Sequence, residues 1–234
     1  MPETAENRIT IVLATANRDK VKELRPLLES ISPLFKVVTL QELGVEVKIE
    51  ETEETLEGNA RLKARAIFAL LCERFPFMIA LADDTGLEVE ALHGAPGVYS
   101  ARFAPVAEGL TPTYQENVRH LLHCMEGMTN REARFRTVVA LKGTLPSPEG
   151  SFSFEHTAEG VVQGSITQQE QGDAGFGYDP LFLLQSTEKT YAEMSTTEKN
   201  SLSHRSLAVQ QAVADLKDIL QQKSISPTDS NSYS

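Results

Sequence analysis

Cysteine is scarce in this chain of 234 residues, which has only Cys72 and Cys124, far apart and without CxxC spacing. The pattern indicates neither a disulfide framework nor a zinc site, so a reducing cytosol fits best and we expect a cytoplasmic protein. Long hydrophobic runs are lacking too, because no segment approaches the length of a membrane span. Residues 1–8 have no apolar segment of the signal-peptide kind. We therefore expect no association with a membrane.

Positive charge is in deficit: 22 lysines and arginines stand against 33 acidic residues, which gives a formal net charge of -11. A broad nucleic-acid surface needs clustered Lys and Arg to displace counterions, so we expect no nucleic-acid polymer as a partner. A small anionic ligand stays compatible with this charge, because a pocket needs only a few local cations. The hydrophobic share of 41% and the charged share of 24% are ordinary for a globular protein of one domain.

Interleaved strand and helix patterns predict an α/β fold. Apolar runs and alternation predict strands at residues 9–14, 35–40, 78–83, 135–142, 152–157 and 180–184, the fourth and fifth as an antiparallel pair. Helical periodicity predicts helices at residues 19–30, 56–74 and 111–125, and a last helix that Ser203 caps. We expect one domain over residues 1–223 and a Ser-rich, disordered tail over 224–234.

Asp83 and Asp84 follow an apolar strand and precede Thr85-Gly86, where we expect the chain to turn before a second apolar alternation starts at Leu87. Two adjacent carboxylates are costly to bury unless a positive partner compensates them. A divalent metal, a water to be deprotonated, or both would explain the pair, and magnesium prefers oxygen ligands. A solvated turn is the plainer alternative, and the spacing does not match the D-x-D-x-T motif of phosphatases. We expect both carboxylates to face a cleft.

Three further stretches suit a ligand that is anionic or planar. Residues 15–20 form a strand-to-helix turn whose free backbone N–H groups and helix dipole suit an anion, although an ordinary helix cap explains them as well. Residues 175–180 place two aromatic side chains beside glycines, which suits stacking on a base or a turn with two core aromatics. Arg205 lies at the start of the last helix, where a cation opposes the helix dipole, so it points either to a site or to a tolerated surface charge.

Taken together, these stretches resemble the inosine/xanthosine triphosphate pyrophosphatases, hydrolases that remove deaminated purine nucleotides. Six motifs carry the resemblance in the family's order: Thr15-Ala16-Asn17-Arg18-Asp19-Lys20, Glu57-Gly58-Asn59-Ala60 with Lys63-Ala64, Ala82-Asp83-Asp84-Thr85-Gly86-Leu87, Gly94-Ala95-Pro96-Gly97-Val98-Tyr99-Ser100-Ala101-Arg102, Phe176-Gly177-Tyr178-Asp179-Pro180, and Glu198-Lys199-Asn200 with Ser203-His204-Arg205. The likeness implies an elongated α/β protein with a curved mixed sheet, flanking helices and a central cleft between two lobes. It also implies a homodimer, a magnesium requirement, and hydrolysis of ITP, dITP and XTP to the nucleoside monophosphate and pyrophosphate.

The resemblance also implies roles for individual residues. Asp84 resembles the proton acceptor and a magnesium ligand, and Glu51 resembles the second metal carboxylate, with Glu50 as the alternative. The positions that match substrate contacts are Thr15, Ala16, Asn17, Arg18, Asp19, Lys20, Thr85, Phe176, Gly177, Tyr178, Asp179, Lys199, His204 and Arg205. Among these, Lys20, Asn17 and the first helix would stabilise the leaving pyrophosphate, with Lys199 as a further clamp. His204 and Arg205 would donate hydrogen bonds to a 6-oxo purine.

The chain departs from the family pattern in a few places. Thr85 stands where the family has Ser, which keeps the hydroxyl, and residues 105–108 replace a Gly-containing turn. Rival functions are a pyrophosphatase for modified pyrimidine or methylated nucleotides, a nucleotide-sensing module without turnover, and a nucleic-acid-binding protein of similar fold. The acidic pair and Lys20 argue against the sensing module, and the net charge of -11 argues against the last.

Overall fold

The computed structural model describes residues 9–29 and 35–224, with side chains of the last helix up to residue 222. Within this part of the chain, seven strands form one mixed sheet: β1 (Ile9–Leu13), β2 (Phe35–Thr39), β3 (Met78–Val89), β4 (Pro96–Gly97), β5 (Glu132–Ser147), β6 (Gly150–Ile166) and β7 (Phe182–Leu184). The strand order is β2-β1-β3-β5-β6-β7, and β4 pairs with β3 off this path. β1 is parallel to β2 and β3, whereas the other pairs are antiparallel. The predicted mixed α/β sheet is therefore confirmed.

The helices that flank the sheet are α1 (Arg18–Glu29), α2 (Leu56–Leu71), α3 (Tyr114–Cys124), α4 (Thr196–Leu202) and α5 (His204–Ser224). Side-chain caps start α2, α3 and α4 at Thr55, Thr113 and Ser195, whose oxygens accept hydrogen bonds from backbone N–H groups of the first turn. Ser203 accepts a hydrogen bond from the Ser206 N–H and so caps α5, as predicted. No helix of the described residues is both long enough and apolar enough to cross a membrane.

Helices cover both faces of the β1–β3 region, so the core divides into clusters on opposite sides. Ile11 and Leu13 of β1 pack with α1 and α5 in a first cluster, while Val12 packs against α2 in a second. A third cluster joins the end of β3, α3, the start of β5 and β7. α5 lies close to β6 at Gly160, where a Cβ atom would overlap the backbone of α5. This close approach sets the start of α5 against the sheet.

β3 connects these clusters and carries the acidic pair between them. Its residues up to Ala82 pack in the first two clusters, and Leu87 and Val89 pack in the third. Residues 83–86 lie between, which places the acidic pair at the junction of the packed regions. The division of residues 1–223 into two lobes stays a prediction.

Several predicted boundaries differ from the structure. The turn predicted at Thr85-Gly86 is wrong, because β3 pairs with β5 continuously from Met78 to Val89. α3 begins at Tyr114 after a Thr113 cap, so the predicted start at Thr111 is also wrong. β5 and β6 extend well beyond the predicted strands, since one long hairpin joins them. Of the predicted disordered tail, Ser224 ends α5, and residues 225–234 lie outside the described residues.

Candidate active site

Asp83 and Asp84 project from opposite faces of β3, because successive residues of a strand alternate sides. Asp83 Oδ2 lies on the face of α1 and α5, 2.9 Å from Lys20 Nζ and 3.2 Å from Arg205 Nε. Asp84 Oδ1 lies on the face of α2, 2.8 Å from Lys63 Nζ. The expectation that both carboxylates face one cleft is therefore corrected: Asp84 lines the cavity described below, while the Asp83 side chain is fully buried.

The two environments move the carboxylate pKa values in opposite directions. Burial alone would raise the pKa of Asp83, but Lys20 and Arg205 outweigh it and hold that pKa well below its ordinary value. Burial raises the pKa of Asp84 above its ordinary value, and Lys63 and Lys20 offset this only in part. Buried Asp84 Oδ2 has no hydrogen-bond partner within the described chain, and the same holds for Asp83 Oδ1. Lys20 and Arg205 thus favour the ionised form of Asp83, whereas Asp84 has an unpartnered oxygen and a raised pKa, which suit a proton acceptor.

Asp84 and Glu51 offer the oxygen atoms that a hydrated magnesium ion would need. Lys63 Nζ lies 2.8 Å from Asp84 Oδ1 and 3.0 Å from Glu51 Oε1, so one ammonium group bridges the two carboxylates. Glu50, the alternative ligand, is exposed, whereas Glu51 lines the cavity. No cluster of three or more His, Cys, Asp or Glu side chains in the described ranges could hold a metal. Magnesium bound with substrate phosphates and waters needs only one or two carboxylates, so the free Asp84 oxygen beside Glu51 fits that ion.

A cavity of about 130 Å³, open on one side, lies beside Asp84. Eleven of the predicted site residues line it: Asn17, Lys20, Glu51, Asp84, Thr85, Phe176, Gly177, Tyr178, Asp179, His204 and Arg205. Thr15, Ala16 and Arg18 instead line a separate, more open groove beside residues 39–48. Asp19 pairs with Lys22 at 3.0 Å on the surface, and Lys199 lies outside the cavity lining. The fold thus brings together most of the predicted site and separates five of its members from it.

Backbone N–H groups at the turn before α1 already donate hydrogen bonds to side chains of the same turn. Asn17 Oδ1 accepts from the backbone N–H groups of Asp19 at 2.9 Å and Lys20 at 3.3 Å, and the Asn17 N–H donates to Thr15 Oγ1 at 3.1 Å. The predicted set of free N–H donors is therefore wrong for these three groups, and Asn17 acts as an ordinary helix cap. Asn17 Nδ2 also donates to the Tyr114 hydroxyl at 3.1 Å, so it still faces the cavity.

A buried ion-pair cluster beneath the cavity fixes Lys199 and Arg205. Glu23 contacts both, at 2.7 Å from Lys199 Nζ and through a short hydrogen bond from Arg205 Nη1. Lys199 Nζ also lies 2.6 Å from Asp179 Oδ2. Because two carboxylates neutralise Lys199, the geometry gives no support to its predicted role as a free clamp for phosphate. Arg205 similarly directs its donors to Glu23, Asp83 and Thr85.

The loop at residues 175–179, called the aromatic loop below, lies over the Lys199 and Arg205 cations. The Lys199 ammonium is 4.9 Å, and the Arg205 guanidinium 5.5 Å, from the Phe176 ring centroid. The Phe176 N–H donates to Asp179 Oδ2 at 2.8 Å, which closes the loop. Gly175 permits this closure with a φ of +77°, and a Cβ atom there would overlap the Asp179 carboxylate. Phe176 is thus held as a half-buried ring on the cavity wall.

His204 is a buried, neutral ring on the same wall. It stacks on Phe135 with 4.6 Å between ring centroids, and its Nδ1 lies 2.6 Å from Thr137 Oγ1. Burial lowers the pKa of His204 well below its ordinary value, and the nearby charges of Arg205 and Lys199 lower it further. At neutral pH the ring therefore carries one proton only.

A model of the Ham1 family matches residues 11–215 of this chain. The chain belongs to the Ham1 family. It is 53% identical to a dITP/XTP pyrophosphatase of Chlorobaculum tepidum over 94% of this chain and 98% of that relative. A dITP/XTP pyrophosphatase of Clostridium tetani is 39% identical over 92% and 99%. The resemblance drawn from the motifs is thereby confirmed.

Solved structures of Ham1-family proteins share the fold. A HAM1 protein from Coxiella burnetii matches with a TM-score of 0.72 and 34% identity, covering 90% of this chain and 99% of that one. A nucleoside-triphosphatase / dITP/XTP pyrophosphatase from Mycobacterium abscessus matches with a TM-score of 0.62 and 33% identity, covering 91% and 100%. The architecture around the acidic pair is therefore that of the Ham1 family.

The site also contains polar residues that were not among the predicted site residues, including Glu23, Lys63, Tyr114, Asn117 and Thr137. Lys63 falls inside a motif quoted above, so its position, though not its bridging contact, was visible in the sequence. Glu23 and Thr137 look like ordinary members of an amphipathic helix and a strand. Their partners lie 182 and 67 residues away along the chain, so no local spacing marks them.

Proposed function

We propose that this chain hydrolyses the non-standard purine nucleoside triphosphates ITP, dITP and XTP to the nucleoside monophosphate and pyrophosphate. The observation that carries the proposal is Asp84, a buried carboxylate with a raised pKa and an unpartnered oxygen, on the wall of a cavity shared with Lys20 and Phe176. The Ham1-family relatives named dITP/XTP pyrophosphatases support the substrate class.

The reaction we propose is attack of water on the α-phosphorus, with cleavage of its bond to the oxygen that bridges the α- and β-phosphates. Asp84 accepts the proton of that water through its unpartnered Oδ2. Lys20 lies on the cavity wall, close enough to Asp83 to be held in one orientation, and stabilises negative charge on the pyrophosphate. Asp84 and Glu51 would hold Mg²⁺, which when bound neutralises charge on the triphosphate.

Base selection falls to His204 in this scheme. Hypoxanthine and xanthine present an oxygen acceptor at position 6, whereas adenine presents an amino donor there. Three N–H groups of Arg205 are directed at protein acceptors, so we assign the contact with the 6-oxo group to the free ring nitrogen of His204. Phe176 supplies an aromatic face for the base. Arg205 also lines the cavity, so its contact with the base stays a prediction.

We also propose a homodimer and a cytoplasmic location, both of which follow from the family likeness. Sedimentation of the purified chain tests the first, and fractionation of cells that express it tests the second. A monomer at all concentrations assayed, together with full activity, would refute the dimer.

The activity is tested by pyrophosphate release from ITP, dITP, XTP, GTP and ATP, each with magnesium and with a chelator. We expect release from the first three, little from ATP, and none with the chelator. Preferred turnover of a methylated or pyrimidine nucleotide would favour the related pyrophosphatase. Tight binding of ITP without pyrophosphate release would favour a sensing module.

Asp84→Asn should reduce turnover of ITP by about 10²–10⁴-fold, because it removes the proton acceptor while keeping the shape of the side chain. Circular dichroism and the urea midpoint should show that the variant stays folded. Asp215→Asn is the matched control, since Asp215 pairs with His156 at 2.7 Å and takes no part in the cavity lining. Near wild-type rates for Asp84→Asn would rule out the assignment.

A further inference from the structure

An unbroken chain of hydrogen bonds runs from α5 through β3 and β5 back to α5. Arg205 Nη2 donates to Thr85 Oγ1 at 3.2 Å, Thr85 and Thr137 hydroxyl oxygens lie 2.7 Å apart, and Thr137 Oγ1 lies 2.6 Å from His204 Nδ1. Thr85 and Thr137 are cross-strand neighbours in the β3–β5 register. Thr137 is completely buried and His204 nearly so, which shields the contact between them from bulk water.

The short contacts of this chain allow one continuous order of donors that starts at Arg205. Arg205 has only donors, so Thr85 must accept from it and send its single proton to Thr137 or to Asp83. Thr137 is the nearer at 2.7 Å, whereas Asp83 Oδ2 is 3.3 Å away and already contacts Lys20 and Arg205. When Thr85 donates to this nearer partner, Thr137 accepts that hydrogen bond and donates its own hydroxyl proton to His204 Nδ1.

A neutral imidazole whose Nδ1 accepts a hydrogen bond carries its proton on Nε2. Burial and the adjacent cations keep the His204 ring neutral. In the described chain His204 Nε2 has no hydrogen-bond partner, and the residue lines the cavity. The free Nε2–H is therefore a donor available to a ligand.

We propose that Thr137, held by Thr85 and Arg205, fixes His204 as the Nε2–H tautomer and thereby makes the cavity select purines with an oxygen at position 6. The proposal deepens the proposed function and rests on it for the identity of the ligand. With the opposite tautomer Nε2 would be an acceptor and would suit the 6-amino group of adenine. Thr137 is a positioning residue, since it acts on the base through His204.

Thr137→Val tests the proposal, because it removes the hydroxyl with little change in side-chain shape. The ratio of kcat/KM for ITP to that for ATP should fall roughly tenfold or more, since the tautomer of His204 is no longer biased. Thr137→Ser should restore the ratio by restoring the hydroxyl. Thr10→Val, at a buried threonine near the start of β1, is the matched control and should leave the ratio unchanged. A folded Thr137→Val enzyme with the wild-type ratio would overturn the proposal.

The tautomer is also measurable without turnover. Long-range ¹H–¹⁵N spectra of the wild-type protein, assigned by loss of signals in His204→Asn, distinguish a protonated Nε2 from a protonated Nδ1. We expect protonated Nε2 in the wild type and a mixed pattern in Thr137→Val. Protonated Nδ1 in the wild type refutes the inference even where Thr137→Val does not fold. Absence of pyrophosphate release from every nucleotide would refute the proposed function and leave the tautomer result standing.

Discussion

Asp83 and Asp84 are the same residue type at consecutive positions, yet their surroundings suit them to different roles. The alternation of β3 directs Asp83 toward Lys20 and Arg205 and Asp84 toward Lys63. Full charge compensation makes Asp83 an anchor that orients two cations of the site. Burial with partial compensation leaves Asp84 with a raised pKa, which suits a proton acceptor.

Loss of Glu23 should cost considerable stability, because Glu23 pairs with both Lys199 and Arg205 in a buried cluster. Glu23→Ala leaves two buried cations short of a partner, so the free energy of unfolding should fall by about 3–5 kcal/mol. Urea denaturation measures the change. Glu29→Ala on the same helix is the control: Glu29 is exposed and 3.9 Å from Arg25, so its loss should cost less than about 1 kcal/mol. Equal losses in the two variants would contradict this reading of the cluster.

At the scale of elements, the start of α5 shows how a locally unfavourable residue is retained. A cation in the first turn opposes the helix dipole, but Arg205 meets Asp83 and Glu23 there. The tertiary partners outweigh the dipole, so the helix can carry Arg205 into the site. The loop at residues 175–179 likewise retains a left-handed backbone for a tertiary contact. Gly175 has a positive φ there, which brings Phe176 over the cations.

Gly175→Ala should disturb this loop more than Gly177→Ala. Both glycines have positive φ, so each substitution costs about 1–2 kcal/mol of backbone strain. Gly177 has open space for a Cβ atom, whereas at Gly175 the Cβ would also overlap the Asp179 carboxylate. Unfolding by urea and kcat/KM for ITP should both show the larger loss for Gly175→Ala. Indistinguishable values for the two variants would show that the overlap is relieved without consequence.

At the scale of the whole molecule, the site is assembled from α1, α2, β3, β5, the aromatic loop and α5. β3 connects the three core clusters, and its polar stretch lies where they meet. Folding therefore buries several charged groups at one junction, and the stability of the molecule becomes linked to pH.

His204 should make the folded protein less stable as the pH falls below about 6.5. Its folded pKa is lowered, so the unfolded chain takes up a proton that the folded chain does not. The contribution is complete above the unfolded pKa and is lost as the pH falls toward the folded pKa. Urea midpoints at about pH 7.5 and about pH 5.5 measure it. His204→Asn should show a smaller drop between these pH values, and an equal drop would assign the effect to other groups.

Much of the fold and part of the site are predictable from the sequence, because they depend on local patterns. Residues 9–13, 35–39 and 56–71 follow apolar periodicity within one element, and the structure has them as expected. The continuous course of β3 through Thr85 was not predictable, since pairing with β5 overrides a local turn signal. Likewise Lys199 was expected as a free cation, because nothing in its own helix shows that Glu23 and Asp179 neutralise it.

By itself, the sequence determined the family, the α/β class and which residue types are present at the site. Motifs and periodicity depend only on residues that are close along the chain. Only the tertiary structure decided which of those residues meet. It directed Asp83 and Asp84 to opposite faces and joined Thr137 to His204, since contacts between distant segments depend on strand register and helix packing.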